Sequence, residues 1–335
     1  MKSFSIFARA LGFAVALLAI ISSAAAQQKP PELSDDEVIR VDTNLVTVPI
    51  SVLDRNGRFI PGLTQQQFHL LENGVEQDIA YFDSADKPFT VALLLDISDS
   101  TKFKLKEIQD AAIAFTEQLR PEDRVIVVSF DSRVNVVSEA TSDREALQKA
   151  ILRIKSGGGT SLYSAVNVAV SERLNRIRGR KAIVLFSDGV DTTSKNATYE
   201  ETLHTAQELD ALIYTIQYNT YSDLTASNAN EGFNGAELMT AKGEPLQVAY
   251  TRAKRYLNLL AEKSGGRPFF ADSVEHLKAT FARIAQELRQ QYSIGFYPKH
   301  DAGDDGTRQI KVKIDQPGIV IRTRRSYVFK APPRQ

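Results

Sequence analysis

The stretch "LLLDISDST", residues 93–101, sets Asp96 directly behind a run of large apolar residues, with Ser98 and Ser100 at the next alternate positions. Two later stretches share its chemistry. "KSGGGTSLY" brings three glycines before Thr160 and Ser161, and "KAIVLFSD" (181–188) ends a second apolar run on Asp188. Asp96, Ser98, Ser100, Thr160 and Asp188 form an all-oxygen donor set with no imidazole or thiolate. Such hard ligands suit Mg²⁺, with Mn²⁺ or Ca²⁺ as alternatives, rather than zinc or copper. Two carboxylates balance a divalent charge, while neutral hydroxyls fill positions without quenching its attraction for a further anion. A coordination position is thereby left for an Asp or Glu carboxylate brought by a protein partner. That is binding chemistry more than catalysis.

Taken singly, each piece has an ordinary structural role. Ser98, Asp99 or Ser100 can cap the helix that follows, Gly157–Gly159 can be a plain turn, and Asp188 before Gly189 can end a strand in a turn. Without a following lysine the glycines do not form a phosphate loop. The conjunction carries the metal reading: three pieces, at matching ends of long apolar strands.

The elements that must position them follow from hydropathy periods. "FTVALLLD" (89–96), "RVIVVSF" (124–130), "KAIVLFSD" and "ALIYTIQY" (211–218) are nearly continuous apolar runs, as expected of strands covered on both faces. Helical patterns fall near 102–119, 143–154, 161–176, 198–209, 250–263 and 273–290, with a short strand near 134–138 and "RPFFA" as a last strand. Alternating strands and helices predict an α/β fold, a doubly wound and mostly parallel sheet. In such a sheet ligands bind beyond the carboxyl ends of the strands, where strand order reverses. Asp96 and Asp188 should face that crevice together.

Period-two segments flank this region at 38–87 and 291–331. Each is too small to hold a core alone, and they are expected to pair into one small antiparallel β-sandwich around the α/β domain at 88–290. "IVIRTRRSYVF" reads as one of its strands, with Arg324 and Arg325 on the polar face of an edge strand. Residues 219–247, rich in Asn, Gly, Ser and Thr, read as an insertion that either shapes partner choice or is a plain surface loop.

"DISDS", the glycine-led Thr160 and "FSDG" resemble, residue by residue, the metal-ion-dependent adhesion site of von Willebrand factor A domains, over roughly residues 88–290. The resemblance implies a doubly wound fold in which Ser98, Ser100 and Thr160 ligate by hydroxyl while Asp96 and Asp188 bind directly or through water. It also implies protein ligands, often with a shift of the last helix. The flanks, from "VTVPISVLDRNGRFIPGL" to "SYVF", are similar to an exported bacterial group, the VWFA-related acidobacterial-type family. That likeness establishes no function.

Composition narrows the setting. Lys2 and Arg9, the apolar run "ALGFAVALLAII" and the small residues of "SSAAAQQ" form a signal-peptide pattern over 1–26, cleaved after Ala26, with a polar linker at 27–37. The apolar run is shorter than the roughly 20 residues a membrane span needs. Cleavage removes two of 41 basic residues and none of 41 acidic ones, leaving a net charge of −2, a poor match for nucleic acid. Cysteine is absent, which excludes disulfides and a lipoprotein anchor. The mature chain is therefore expected outside the cytoplasm, periplasmic or secreted, with no stable membrane anchor. His69, His204, His276 and His300 are scattered, without zinc-site spacing. "DAGDDG" (301–306) lacks the spacing and distal glutamate of an EF-hand. Asn196–Thr198 reads as a helix start.

The expected function is a non-enzymatic, metal-dependent adhesion or scaffold module. A hydrolase using the same ion is the alternative, and a structural domain holding little metal is a third reading.

Overall fold

A computed structural model describes residues 45–85, 87–218, 220, 239–240, 243–299 and 306–329. The signal pattern, the linker, most of the 219–247 insertion and the acidic turn at 300–305 lie outside the described residues.

Strand β1 (Val46–Leu53) leads into a turn in which Asp54 Oδ1 accepts from the amides of Asn56 and Arg58, both at 2.8 Å. Strands β2 (Phe68–Glu72) and β3 (Val75–Gln77) form a hairpin around Asn73 and Gly74, at φ 48° and 87°. Positive φ at both central residues is the hairpin twist that Asn-Gly favours. A further strand, β4 (Tyr81–Asp83), follows the hairpin.

The α/β region begins at β5 (Phe89–Asp96), every residue of which is buried. A 3-10 turn (Asp99–Lys104) precedes α1 (Leu105–Glu117), then come β6 (Arg124–Phe130), β7 (Val134–Thr141), α2 (Arg144–Leu152) and α3 (Leu162–Asn167). Beyond α3 the chain stays helical as a π turn (Val168–Arg173) and a 3-10 turn (Leu174–Arg176), where one helix over 161–176 is expected. Hydropathy period does not resolve such changes of hydrogen-bond register. Next are β8 (Arg180–Ser187), α4 (Tyr199–Glu208), β9 (Leu212–Tyr218), α5 (Leu246–Ser264), β10 (Arg267–Ala271) and α6 (Val274–Leu288). Thr198 caps α4 reciprocally: its Oγ1 accepts from Glu201 N–H, and its own N–H donates to Glu201 Oε2. The chain returns through β11 (Tyr292–Phe296), β12 (Gly306–Ile314), β13 (Val320–Arg322) and β14 (Ser326–Phe329).

The central sheet has the order β10-β9-β8-β5-β6-β7, parallel except for the antiparallel edge strand β7. Successive β5 side chains feed opposite faces. Val91, Leu93 and Leu95 pack with α1 and α6 through Phe115 and Phe281, while Ala92 and Leu94 pack with α3 and α5 through Leu162 and Leu257. Burial on both faces, at about 1.5–3 kcal/mol per large apolar side chain, explains the unbroken apolar runs. The chain winds to one side of β5 through β6 and to the other through β8, which makes the β5/β8 carboxyl ends the switch point.

The flanks interleave. One sheet runs β13-β1-β11-β4 and the other β14-β12-β2-β3, and both combine strands from before and after the α/β region. Ile50, Leu70, Ile294, Phe296 and Tyr327 fill the space between them. The expected "IVIRTRRSYVF" strand is two short strands in different sheets. Arg324 at the break is 2% exposed and does not lie on a polar strand face. Its Nη1 donates to the carbonyls of Gln207, Glu208 and Leu209, and its Nη2 to Thr47 O at 2.5 Å. The carbonyls ending α4 lack intrahelical donors, and this guanidinium supplies them.

Candidate metal centre

Asp96 closes β5 and Asp188 follows β8, so two hydrogen-bonded parallel strands deliver their carboxylates to the same edge. Both side chains are buried, at 0% and 3% exposure. Asp96 Oδ1 accepts from Ser98 N–H (3.1 Å) and Oδ2 from Ser187 Oγ–H (2.6 Å). Asp188 Oδ1 accepts from Val190 N–H (3.0 Å), and Oδ2 accepts from Thr220 Oγ1–H (2.9 Å) and Tyr250 OH (3.2 Å). These donors are all neutral amides and hydroxyls. Burial, and next the negative charge of Asp188, push the Asp96 carboxyl up to about 7. Two buried acids at one place repel.

The hydroxyl residues of the motif lie on the turn after β5 and on the glycine loop that leads into α3. Ser98 is buried at the turn after β5, where Thr101 Oγ1 donates to its carbonyl (2.9 Å) and the carbonyl of Asp96 (3.2 Å). Ser100 lies in the 3-10 turn that follows, and its side chain lies outside the described set. Thr160 is buried in the glycine loop. That loop is tied to both strand ends: Gly157 N–H donates to Ile97 O (3.1 Å), and Thr192 N–H and Thr193 N–H donate to Thr160 O (2.9 and 3.0 Å). Gly157 has a steric reason. A Cβ there would lie 2.1 Å from Asp131 Oδ2, on the turn after β6.

The donor chemistry fits a hard divalent cation: two adjacent buried carboxylates whose mutual repulsion a cation would relieve, with hydroxyl residues beside them. Among the described residues no group of three or more His, Cys, Asp or Glu gathers as a metal site. The set here has only two carboxylates, and its other members are hydroxyls. Ser187, Thr220 and Tyr250 belong to none of the three motif stretches as ligands. Ser187 precedes Asp188 at a strand end and was within reach of the pattern, whereas Tyr250 lies 62 residues away on a helix and carries no local signal. The histidines pair elsewhere: His69 with Glu76 and Asp315, His204 with Glu208, and His276 with Asp272. His300 is outside the described residues.

Residues 91–190, which contain all five motif positions, match the family model of the von Willebrand factor type A domain. An uncharacterised protein of Synechocystis sp. is 30% identical over 132 residues, covering 35% of this chain and 31% of that protein. A UPF0353 protein of Mycobacterium avium is 24% identical over 217 residues, covering 59% of this chain and 60% of that one. The chain thus spans from 31% to 60% of the length of these relatives. Among solved structures, a von Willebrand factor type A protein from Catenulispora acidiphila is similar at TM-score 0.47 and 11% identity, over 86% of this chain and 75% of that one. The vWF domain of the type V pili tip protein Mfa5 from Porphyromonas gingivalis is similar at TM-score 0.45 and 16% identity, over 65% and 98% respectively.

Proposed function

We propose that this chain is an exported module that binds a protein partner through a divalent cation, Mg²⁺ first and Mn²⁺ or Ca²⁺ as alternatives, held by Asp96, Ser98, Ser100, Thr160 and Asp188. The observation that carries this reading is the buried Asp96–Asp188 pair, met by neutral donors at the switch point of the sheet. A bound cation would supply positive charge and an open position for a partner's Asp or Glu carboxylate. Ser187, Val190, Thr220 and Tyr250 hold the two carboxylates in place. Binding is favoured over hydrolysis because His69, His204 and His276, the histidines among the described residues, are engaged with acids outside this cluster and offer it no general base. Export rests on the pattern over 1–26, and the flanking strands extend the reading to the acidobacterial-type group.

The test is capture of envelope proteins with and without EDTA. Asp96→Ala and Thr160→Ala are expected to lose divalent-dependent capture while retaining the wild-type circular dichroism spectrum. EDTA-insensitive capture by both variants refutes the reading.

A further inference from the structure

Asp188 is held from an unexpected side. Its Oδ2 accepts from Thr220 Oγ1–H, two residues beyond β9, and from the phenol of Tyr250, in the second turn of α5. The two hydroxyl oxygens also lie within hydrogen-bonding reach of each other, so two protons are shared among three oxygens. Thr220 is 0% exposed and Tyr250 8%. The same helix packs on the residue after Asp188. A Cβ on Gly189, at φ 87°, would lie 2.9 Å from Leu257 Cδ1 and 3.1 Å from Ala253 O. Thr215 Oγ1 of β9 donates to Leu257 O (3.2 Å), fixing α5 over the sheet.

We propose that Thr220 and Tyr250 are positioning residues for Asp188, and that through Tyr250 a divalent cation bound at the Asp96–Asp188 pair stabilises the first turns of α5 against local opening. This rests on the cation reading above and adds to it the element that responds. Buried hydroxyls that orient a ligating carboxylate typically account for about 10–100-fold in cation affinity. Coupling is reciprocal: what Tyr250 contributes to binding, binding returns to the placement of α5. The responding helix is thus α5, fastened to the carboxylate itself, whereas the last helix, α6, has its end carbonyl at Leu288 held by Arg180 (2.6 Å).

Calorimetric titration of the full chain with Mg²⁺ tests this, beside amide exchange across α5 with and without Mg²⁺. Tyr250→Phe and Thr220→Val should each weaken Mg²⁺ binding about tenfold, while Thr220→Ser, which keeps the hydroxyl, stays near wild type. Mg²⁺ should slow exchange in the first turns of α5 in the wild type and in Thr220→Ser but not in Tyr250→Phe. A purely structural role would lower the melting temperature of Tyr250→Phe without moving affinity. Unchanged affinity in both hydroxyl-deleting variants, or Mg²⁺-dependent protection of α5 in Tyr250→Phe, overturns the proposal alone. A wild-type chain that takes up no Mg²⁺, Mn²⁺ or Ca²⁺ overturns the cation reading, and this one with it.

Discussion

Asp96 ties protonation to folding and to cation binding. Its carboxyl rises from 3.8 to about 7, chiefly by burial and next by the charge of Asp188. Between those values the metal-free folded chain holds a proton that the unfolded chain has released. The stability so contributed is complete below about pH 4 and is lost as pH rises through about 7. A cation must displace that proton, so Mg²⁺ binding at pH 6 should release protons and weaken as pH falls further. Titrations in two buffers of different ionisation enthalpy measure this, and equal heats in both would refute it. Asp96→Asn removes the like-charge repulsion; it should stabilise the metal-free protein at pH 8 by about 1–3 kcal/mol and abolish any Mg²⁺-induced rise in melting temperature. Asp96 and Asp188 were legible because strand-end acids behind apolar runs have only one place to go. Tyr250 was not, because only tertiary packing turns that face of a helix toward a carboxylate.

Between strands, the loops bear their loads at single atoms. Gly157 lets the Asp131 carboxylate pass at a distance no Cβ tolerates, and Asp131 in turn accepts from Arg133 N–H (2.7 Å) and, by its carbonyl, from Ser161 N–H (2.7 Å). Gly157→Ala should cost about 1–3 kcal/mol and shift the loop carrying Thr160, so Mg²⁺ affinity should fall along with stability. Wild-type affinity in a folded Gly157→Ala protein would separate the loop from the site. Arg324 does comparable work for α4. Arg324→Met leaves three helix-end carbonyls without their donor, at a cost of about 2–4 kcal/mol by urea unfolding; a loss under 1 kcal/mol would show that water replaces the guanidinium. The apolar strands and capped helices were readable from period and composition. The division of "IVIRTRRSYVF" was not, since the acceptor at Leu209 lies 115 residues away in sequence.

At the scale of the whole molecule, the α/β region is inserted within the sandwich, and the flanks cannot complete either sheet separately: β1 pairs with β11 and β13, and β2 with β12. That pairing was foreseeable from two matching period-two segments, each too small for a core. The fastening between sandwich and α/β region was not, because it rests on buried cations that composition alone places at a surface. Arg180, 3% exposed and lowered to about 10 by burial, donates to Ala85 O (3.1 Å) on the entering strand connection and to Leu288 O at the end of α6. Lys181 pairs with Asp210 (2.6 Å), which accepts from Thr47 Oγ1–H (2.8 Å). Gly265, closing α5 at φ 82°, admits the Thr323–Arg324 backbone so closely that a Cβ would lie 2.3 Å from Arg324 N. Fastened at these points, sandwich and α/β region should unfold together, giving one calorimetric peak whose van't Hoff and measured enthalpies agree. A fragment spanning 88–290 keeps both faces of its sheet covered and should fold, but at a lower melting temperature, since the Gln207–Leu209 carbonyls lose Arg324. Fragments spanning 27–87 and 291–335 should each remain unfolded alone, because every sheet they enter needs strands from the other. Two separated peaks in the full chain, or a folded 27–87 fragment by amide exchange, would show instead that the sandwich is an independent body and the buried arginines mere spacers.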